Sequence, residues 1–262
     1  QPSPRLGFGP RRIYLVGGAV QGGDVVSTVW AYDPALDSWC EVTSMAAVRC
    51  EHGAVALGGK LYVMGGYGDG GTLAETEVYD PKADGWQPLP SMPTARQSFA
   101  AAAVGGKVYA IGGDGDDGFC DAVEAYDPLS GAWTRVASLP VARSCHTATV
   151  VDGKIYVVGG HEEDPEDEDP EVATDRVDVY DPAADSWQQL AAMPTVKHSH
   201  AAAVVDGKIY VSGGSLDSCE HSDALEAFDP VTNTWTTLAS LSGGRAFHTS
   251  AAFNGKLCVF GG

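Results

Sequence analysis

Paired glycines recur along the chain at nearly constant intervals and constrain its fold more than any other feature. Six Gly-Gly doublets are separated by 48, 47, 47, 54 and 48 residues, and a tryptophan recurs with the same spacing. A period of about 50 residues is typical of architectures in which similar sheets are stacked or arranged radially. The sequence therefore predicts a repeat protein rather than one ordinary core. The doublets begin at Gly17, Gly65, Gly112, Gly159, Gly213 and Gly261, and the tryptophans are Trp39, Trp86, Trp133, Trp187 and Trp235.

Each repeat is predicted to form four antiparallel strands, A to D. In the repeat at residues 143–193, the turn Asp152-Gly153 separates two apolar runs, which is a strong hairpin signal. The third run ends in Asp181-Pro182, a pair that suits a type I turn, and Trp187 opens the fourth. Because such a sheet is apolar on both faces, it must stack on its neighbours. Strand A is rich in alanine, as the crowded inner ring of a propeller requires, so the predicted fold class is all-β.

These residues resemble the kelch-repeat family. The resemblance rests on the doublet, the Tyr-Asp-Pro step and the tryptophan seven residues after the strand-C aromatic, and it extends over residues 11–262. It implies a kelch-type β-propeller, and kelch propellers most often resemble six-bladed rings. Since the chain begins and ends on a predicted B strand, we expect six blades with one incomplete. We expect an N-terminal segment at 1–10, with a candidate partial inner strand, then repeats at about 11–45, 46–92, 93–139, 140–193, 194–241 and 242–262 (partial).

The charge balance argues against several classes of partner. The chain has 35 acidic and 16 basic residues, a net charge of −19, and eight of the acids lie in one loop at residues 162–171. Such a protein is poorly suited to bind nucleic-acid phosphates or an anionic membrane surface. No apolar run is long enough for a membrane helix. We expect the acidic loop to be exposed and solvated.

Neither a cofactor nor a metal is predicted. The six cysteines are scattered and form no Cys-x-x-Cys pair, which argues against a disulfide framework or a zinc site. A reduced, cytoplasmic or other intracellular setting is therefore expected. In four repeats, a histidine stands three positions after the basic residue that precedes strand A. A ring of imidazoles invites a metal hypothesis, but a packing position copied by repetition is favoured over it. These histidines are His52, His146, His200 and His248.

One face of the predicted disc carries the candidate binding site. Because strand A runs antiparallel to strand B, the residues entering A and those leaving B share a face. The loops after the doublets vary in length, and variable loops on a rigid scaffold are where binding usually occurs. The basic residues entering A are Arg49, Arg96, Arg143, Lys197 and Arg245, and the candidate residues after the doublet are Tyr67, Asp114, His161 and Ser215.

Two interpretations of the basic residues remain open. In kelch proteins that resemble substrate adaptors, both positions line the pocket that receives a peptide. Guanidinium groups suit carboxylates, so this implies a protein partner with an acidic segment. Alternatively, the basic residues pair with acids on strand C as repeated structural ion pairs. The acids are Glu77, Glu124, Asp178 and Glu226.

Repetition favours a ring-shaped recognition surface over a catalytic centre. The resemblance implies a non-catalytic protein-interaction module, such as the substrate-recognition part of a ubiquitin-ligase adaptor or a scaffold. A BTB or F-box region would then lie elsewhere in the protein. The alternative is an enzyme on a kelch-like propeller, such as a sugar-active isomerase or oxidase.

Overall fold

The regular structure of this protein consists entirely of β-strands. A computed structural model describes residues 12–20, 22–163, 171–216, 220–253 and 255–262, and this part of the chain contains no helix. It follows that these residues include no helix with the length and apolar character needed to span a membrane. The expected N-terminal segment at 1–10 lies outside the described residues, as does most of the acidic loop, 164–170.

The strands follow one another with short connections. Each blade-forming strand has four to nine residues, and two-residue to three-residue strands occur in the loops between them. In chain order they are β1 (Ile13–Ala19), β2 (Val25–Asp33), β3 (Ser38–Val42), β4 (Gly53–Leu57), β5 (Lys60–Met64), β6 (Tyr67–Gly68), β7 (Gly71–Thr72), β8 (Thr76–Asp80), β9 (Gly85–Leu89), β10 (Ala100–Val104), β11 (Lys107–Ile111), β12 (Asp114–Gly115), β13 (Gly118–Phe119), β14 (Val123–Asp127), β15 (Ala132–Val136), β16 (Thr147–Val151), β17 (Lys154–Val158), β18 (His161–Glu163), β19 (Glu171–Ala173), β20 (Val177–Asp181), β21 (Ser186–Gln189), β22 (Ala201–Val205), β23 (Lys208–Ser212), β24 (Leu225–Asp229), β25 (Thr234–Thr237), β26 (Thr249–Phe253) and β27 (Lys256–Phe260).

Five sheets have the arrangement of propeller blades. Four of them contain four antiparallel strands in the predicted order, namely β4-β5-β8-β9, β10-β11-β14-β15, β16-β17-β20-β21 and β22-β23-β24-β25. The sheet β1-β2-β3 has three strands, and we call the five sheets blades 1 to 5 in chain order. The all-β propeller class is confirmed. The expected six-bladed ring is not supported, because the described residues form five such blades and, beside them, the hairpin β26–β27.

The tight turns fix the register of each blade. Between β16 and β17, Val151 pairs with Lys154 across the turn residues Asp152 and Gly153. Both turn residues have positive φ, 49° and 76°, as a two-residue turn of the primed type requires. The predicted hairpin is therefore confirmed at this turn, and the pairing places apolar side chains on both faces of the sheet.

The core lies between neighbouring blades rather than within any one of them. Ile111 of blade 3 packs with Ile155, Val157 and Tyr180 of blade 4, and all four are essentially excluded from solvent. The tryptophans add a polar link, since the indole Nε1 of Trp133 donates to the carbonyl of Pro90 in the preceding blade at 2.9 Å. Trp133 is half-buried at this junction. Apolar burial thus stabilises the stack of sheets and not the isolated repeat.

The doublets join adjacent blades through their backbone. Gly65 and Gly66 have φ values of 57° and 97°, a region that disfavours any side chain. The N–H of Gly66 donates to the carbonyl of Arg96 in the next blade at 2.9 Å. A Cβ added to Gly65 would lie 2.7 Å from that same oxygen. Glycine is required here by both backbone conformation and close approach.

Candidate functional site

The residues entering strand A and those following the doublet lie together, as the topology predicts. We call the surface formed by these residues and the loops after the doublets the loop face. Its backbone is fixed by bridges between the two sets, for example between Gln97 and Asp114, whose N–H groups donate to each other's carbonyls at 2.8 and 2.9 Å. The equivalent bridges join Cys50 to Tyr67, Ser144 to His161 and His198 to Ser215.

The basic residues expected to bind a partner are buried instead. Arg49, Arg96, Arg143 and Lys197 have no exposed surface. This contradicts their predicted direct contact with a partner. The reason is that the doublet and the residue before strand C surround them, and carbonyl groups of both accept hydrogen bonds from the guanidinium groups. Arg245 is half-buried and donates to the carbonyl of Gly261 at 3.0 Å.

Arg96 shows what these basic groups do. One guanidinium nitrogen donates to the carbonyls of Gly112 and Ala122 at 2.8 and 2.7 Å, on the two sides of the loop between strands B and C. The other nitrogen forms an ion pair with Glu124 at 2.9 Å, although its alignment is not that of a hydrogen bond. The interpretation as structural ion pairs is therefore the correct one. The equivalent pairs are Arg49–Glu77, Arg143–Asp178 and Lys197–Glu226.

The electrostatics of the pairs follow from their burial. Desolvation lowers the pKa of the Arg143 guanidinium, and the neighbouring carboxylate of Asp178 opposes that shift. The same balance between burial and Glu77 lowers the pKa of Arg49. Removing one member of such a pair leaves an uncompensated buried charge, which typically costs about 3–5 kcal/mol.

The repeated histidines pack between the blades, in agreement with the interpretation that was favoured over a ring of metal ligands. His146 is buried, and its Nε2 lies 3.0 Å from the carbonyl of Ile111. Burial, together with the nearby charge of Arg143, lowers the pKa of His146 to about 3. Burial also lowers the pKa of His200 well below its ordinary value. The buried Phe99 occupies the corresponding position in blade 3, which an apolar side chain therefore fits.

A chain of backbone hydrogen bonds crosses from blade to blade at the centre of the loop face. In this chain, the N–H of one residue donates to the carbonyl of the corresponding residue in the preceding blade, at 2.8 to 2.9 Å. The residues, in order, are Glu51, Ser98, Cys145, Ser199 and Phe247. All five residues adopt left-handed backbone conformations, with φ between 49° and 56°. We call these five residues the central rim. Non-glycine residues in this conformation are held by their surroundings and cluster at functional sites.

The residues after the doublets differ in accessibility. Tyr67 is 46% exposed, whereas Asp114 and His161 are half-buried. Ser215 is buried, which contradicts its predicted direct contact with a partner. Phe247 of the central rim is 74% exposed and was not anticipated. A comparison of the repeats could have revealed it, because an aromatic stands there in place of the small or polar residues of the other blades.

The exposed charge of the loop face is acidic, the opposite of what the basic residues had suggested. Arg176, a basic residue at the edge of this face, is engaged with Asp178 at 2.7 Å. The exposed acidic side chains in the described loops are Asp24, Asp69, Glu75, Asp116, Asp117, Asp121, Glu163, Glu220 and Asp223.

A shallow groove lies away from the central rim, at the edge of blade 3. Its volume is about 430 Å³, and its lining includes Asp116, Asp117, Phe119 and Arg135. The groove extends the loop face outward and adds one exposed basic residue, Arg135, to it.

One cysteine and two histidines form a cluster where blades 4 and 5 meet at the central rim. The Sγ of Cys145 and ring nitrogens of His161 and His198 lie within 4.8 Å of one another. Burial raises the pKa of the Cys145 thiol, and the nearby charge of Glu51 acts in the same direction. A catalytic cysteine requires a lowered thiol pKa, so the cluster does not resemble a nucleophilic site. Cys145 and His198 were not predicted as site residues, although both differ from the residues at the same positions of other repeats.

Comparisons with known proteins agree on the architecture. Residues 11–217 match the model of the Attractin/LZTR1 beta-propeller family, and residues 197–242 match the Kelch motif. An F-box/kelch-repeat protein of Arabidopsis thaliana is 46% identical over 54 residues, 21% of this chain and 11% of that protein. Kelch-like protein 23 of Mus musculus is 41% identical over 71 residues, 27% of this chain and 12% of that protein. The chain thus covers about a tenth of the length of these relatives.

The solved structure of YjhT has the same fold. It superimposes with a TM-score of 0.73 at 20% sequence identity, covering 83% of this chain and 74% of the other. At this level of identity the similarity concerns the fold alone.

Proposed function

Because the chain belongs to the Attractin/LZTR1 beta-propeller family and carries kelch repeats, we propose that it is a non-catalytic module that binds a partner protein on its loop face. The observation that supports this most is the pair of exposed aromatics, Tyr67 and Phe247, on that face. Exposed aromatic side chains are the residues most often found at the energetic centre of interfaces. The hydrogen-bonded backbone of the central rim, to which Phe247 belongs, limits the entropy lost on binding.

The chemistry of the partner is revised from the sequence-based expectation. An acidic segment was expected because the basic residues seemed to point to the surface, but these are buried in ion pairs. The exposed loops present carboxylates instead, such as Asp69, Asp116 and Asp117. We therefore propose a partner segment that carries lysine or arginine beside an apolar anchor. Acidic surroundings attract such a segment, and its cations can stack on Tyr67.

An array of synthetic peptides tests this proposal. Peptides with one apolar core flanked by lysine and arginine are compared with otherwise identical peptides flanked by glutamate. We expect the basic set to bind, and the double change Tyr67→Ala and Phe247→Ala to weaken binding by at least about 10-fold, as for hot-spot residues worth 1.4 kcal/mol or more together.

A control variant removes an apolar side chain that is even more exposed, on the opposite face. Leu129 is 97% exposed in the turn between strands C and D of blade 3, and Leu129→Ala is expected to leave binding unchanged. Loss of binding in Leu129→Ala alone would assign the site to the opposite face. Preference for the glutamate set would restore an acidic partner. Turnover of a sugar without any protein partner would favour the enzymatic alternative.

The relatives support a proposal for the wider role. The F-box/kelch-repeat and Kelch-like proteins that this chain partly matches support a role as the substrate-recognition part of a ubiquitin-ligase adaptor. The free thiols of Cys40, Cys50, Cys120, Cys145 and Cys258 support an intracellular setting. If this is correct, deletion of the gene should lengthen the lifetime of the proteins that the loop face captures. Unchanged lifetimes would favour a scaffold.

A further inference from the structure

Three side chains with metal-binding atoms converge at the junction of blades 4 and 5. Cys145 lies on the central rim, His161 follows the doublet of blade 4, and His198 enters strand A of blade 5. Their candidate ligand atoms lie within 4.8 Å of one another, and the two imidazole centroids are 3.6 Å apart. All three residues are half-buried, so the cluster is reachable from the loop face while remaining partly shielded from water.

The backbone holds the three residues in place independently of their side chains. The N–H of His161 donates to the carbonyl of Ser144 at 2.8 Å, directly beside Cys145. The N–H of Ser199 donates to the carbonyl of Cys145 at 2.9 Å, and this places His198 next to the thiol. Sites whose supporting backbone is already fixed need little reorganisation to bind.

Repetition does not explain the composition of this cluster. The repeat brings a rim residue, a residue after the doublet and a residue of the next blade together at every junction. Among the described junctions, the Cys-His-His combination occurs once, whereas the packing histidines beneath it recur from blade to blade. The corresponding sets are Glu51, Tyr67 and Gln97; Ser98, Asp114 and Ser144; and Ser199, Ser215 and Ala246.

We propose that Cys145, His161 and His198 bind one Zn²⁺ ion. One thiolate and two imidazoles are ligands that this borderline-soft cation prefers, and three protein ligands leave a fourth position open. On binding, the S–H bond of Cys145 breaks as the Zn–S bond forms, and the proton passes to solvent. The open position would be occupied by water or by a side chain of a partner. This inference does not depend on the proposed function.

The observed arrangement requires only local adjustment to accept the ion. Ligand atoms in a tetrahedral zinc site lie about 3.3–3.8 Å apart, so the three groups would contract by about 1 Å. The imidazoles, now tilted by 31° in a stack, would turn so that a nitrogen lone pair of each points to the ion. Glu51 lies close enough to act on the thiol electrostatically, and its carboxylate favours a bound cation.

Calorimetric titration of the metal-free protein with zinc chloride tests the proposal. We expect one equivalent to bind to the unmodified chain. The variants Cys145→Ser and His198→Gln install residue types that Ser98 and Gln97 already provide at the corresponding positions of two other junctions, so the fold should tolerate them. Each variant is expected to lose at least about 10-fold in affinity, since even outer-shell changes at zinc sites cost 10–100-fold. Asp114→Asn, a change at the neighbouring junction, should bind as the unmodified chain does.

The absorption spectrum of bound cobalt distinguishes this site from metal bound by acidic surface groups, which contain no thiolate. Co²⁺ bound at this site should show thiolate-to-metal charge-transfer absorption that is lost in Cys145→Ser. Melting temperatures without metal establish that each variant is folded. Absence of the thiolate band in the unmodified protein, or affinities for Zn²⁺ that fall equally in Asp114→Asn, would overturn the proposal. If a variant is unfolded, the cobalt spectrum of the unmodified chain decides alone.

Discussion

At the scale of single residues, the buried basic side chains act mainly on the backbone that surrounds them. Arg96 donates to the carbonyls of Gly112 and Ala122, at the two ends of the connection between strands B and C, and the Ala122 carbonyl also accepts from the N–H of Gly112. Buried carbonyls without a hydrogen bond are costly, so the arginine stabilises a turn as well as neutralising Glu124. Position in the repeat could therefore predict which residues pair. It could not predict their burial, because that depends on how the doublet folds over them.

Replacement of Arg96 by alanine should destabilise the fold rather than act first on binding. We expect a loss of about 3–5 kcal/mol in the free energy of unfolding, because Glu124 would remain buried and charged. Chemical denaturation measures this loss. Arg135→Ala is the control, since Arg135 approaches the same carboxylate at 3.7 Å but is 68% exposed, and exposed pairs contribute about 0–1 kcal/mol. Normal stability of Arg96→Ala together with lost partner binding would contradict the structural role.

At the scale of elements, the connection between strands B and C contains both the constant and the variable part of each repeat. The doublet is constant because it contacts the next blade, whereas the loop after it is free to vary. Three of these loops form short hairpins, β6–β7, β12–β13 and β18–β19. The sequence predicted strands A to D closely, since alternation and turn residues mark them. It did not reveal the small hairpins, because two or three residues carry no detectable periodicity.

Two glycines with nearly identical φ angles distinguish the two reasons for keeping glycine, which are backbone conformation and contact with the next blade. Gly65 and Gly105 have φ values of 57° and 60°. A Cβ at Gly65 would meet the carbonyl oxygen of Arg96 at 2.7 Å, whereas a Cβ at Gly105 would meet nothing within 4 Å. Gly105→Ala should cost about 1 kcal/mol from backbone strain alone.

The alanine substitution at Gly65 should cost clearly more than this reference value, on the order of 2–4 kcal/mol, because the blades must separate or the turn must distort. Denaturant unfolding of both variants under one set of conditions gives the comparison. Equal losses would indicate that conformation alone selects the glycine and that contact between blades does not.

At the scale of the whole molecule, the number of blades was the part of the fold least accessible to sequence analysis. Counting doublets gives the number of hairpins, but blade number depends on the angle between packed sheets, which side-chain volumes at the junctions determine. The loop face shows the same limit. Repetition located it, yet its charge followed from which side chains are buried, and this reversed the expected chemistry of the partner.

Repetition also multiplies the effect of the buried histidines on stability. Burial lowers the pKa of His52 to about 4 and that of His146 to about 3, and it lowers those of His200 and His248. The unfolded chain takes up protons near pH 6.5, whereas the folded chain keeps these rings neutral. Between about pH 6.5 and 4 the unfolded state therefore binds more protons, so the free energy of unfolding falls as the pH falls.

The variant His146→Phe tests this origin of acid sensitivity, because Phe99 already occupies the corresponding position of blade 3. His146 is close to Arg143 and Arg96, whose charges add to the cost of protonating it. Removing it should reduce the slope of unfolding free energy against pH between pH 6 and 5 by about 1 kcal/mol per pH unit. Denaturant unfolding at a series of pH values measures the slope. An unchanged slope would contradict this origin. Carboxylates with depressed pKa, such as Asp181 and Asp229, lower the free energy of unfolding mainly below about pH 5 and so do not determine the slope in this range.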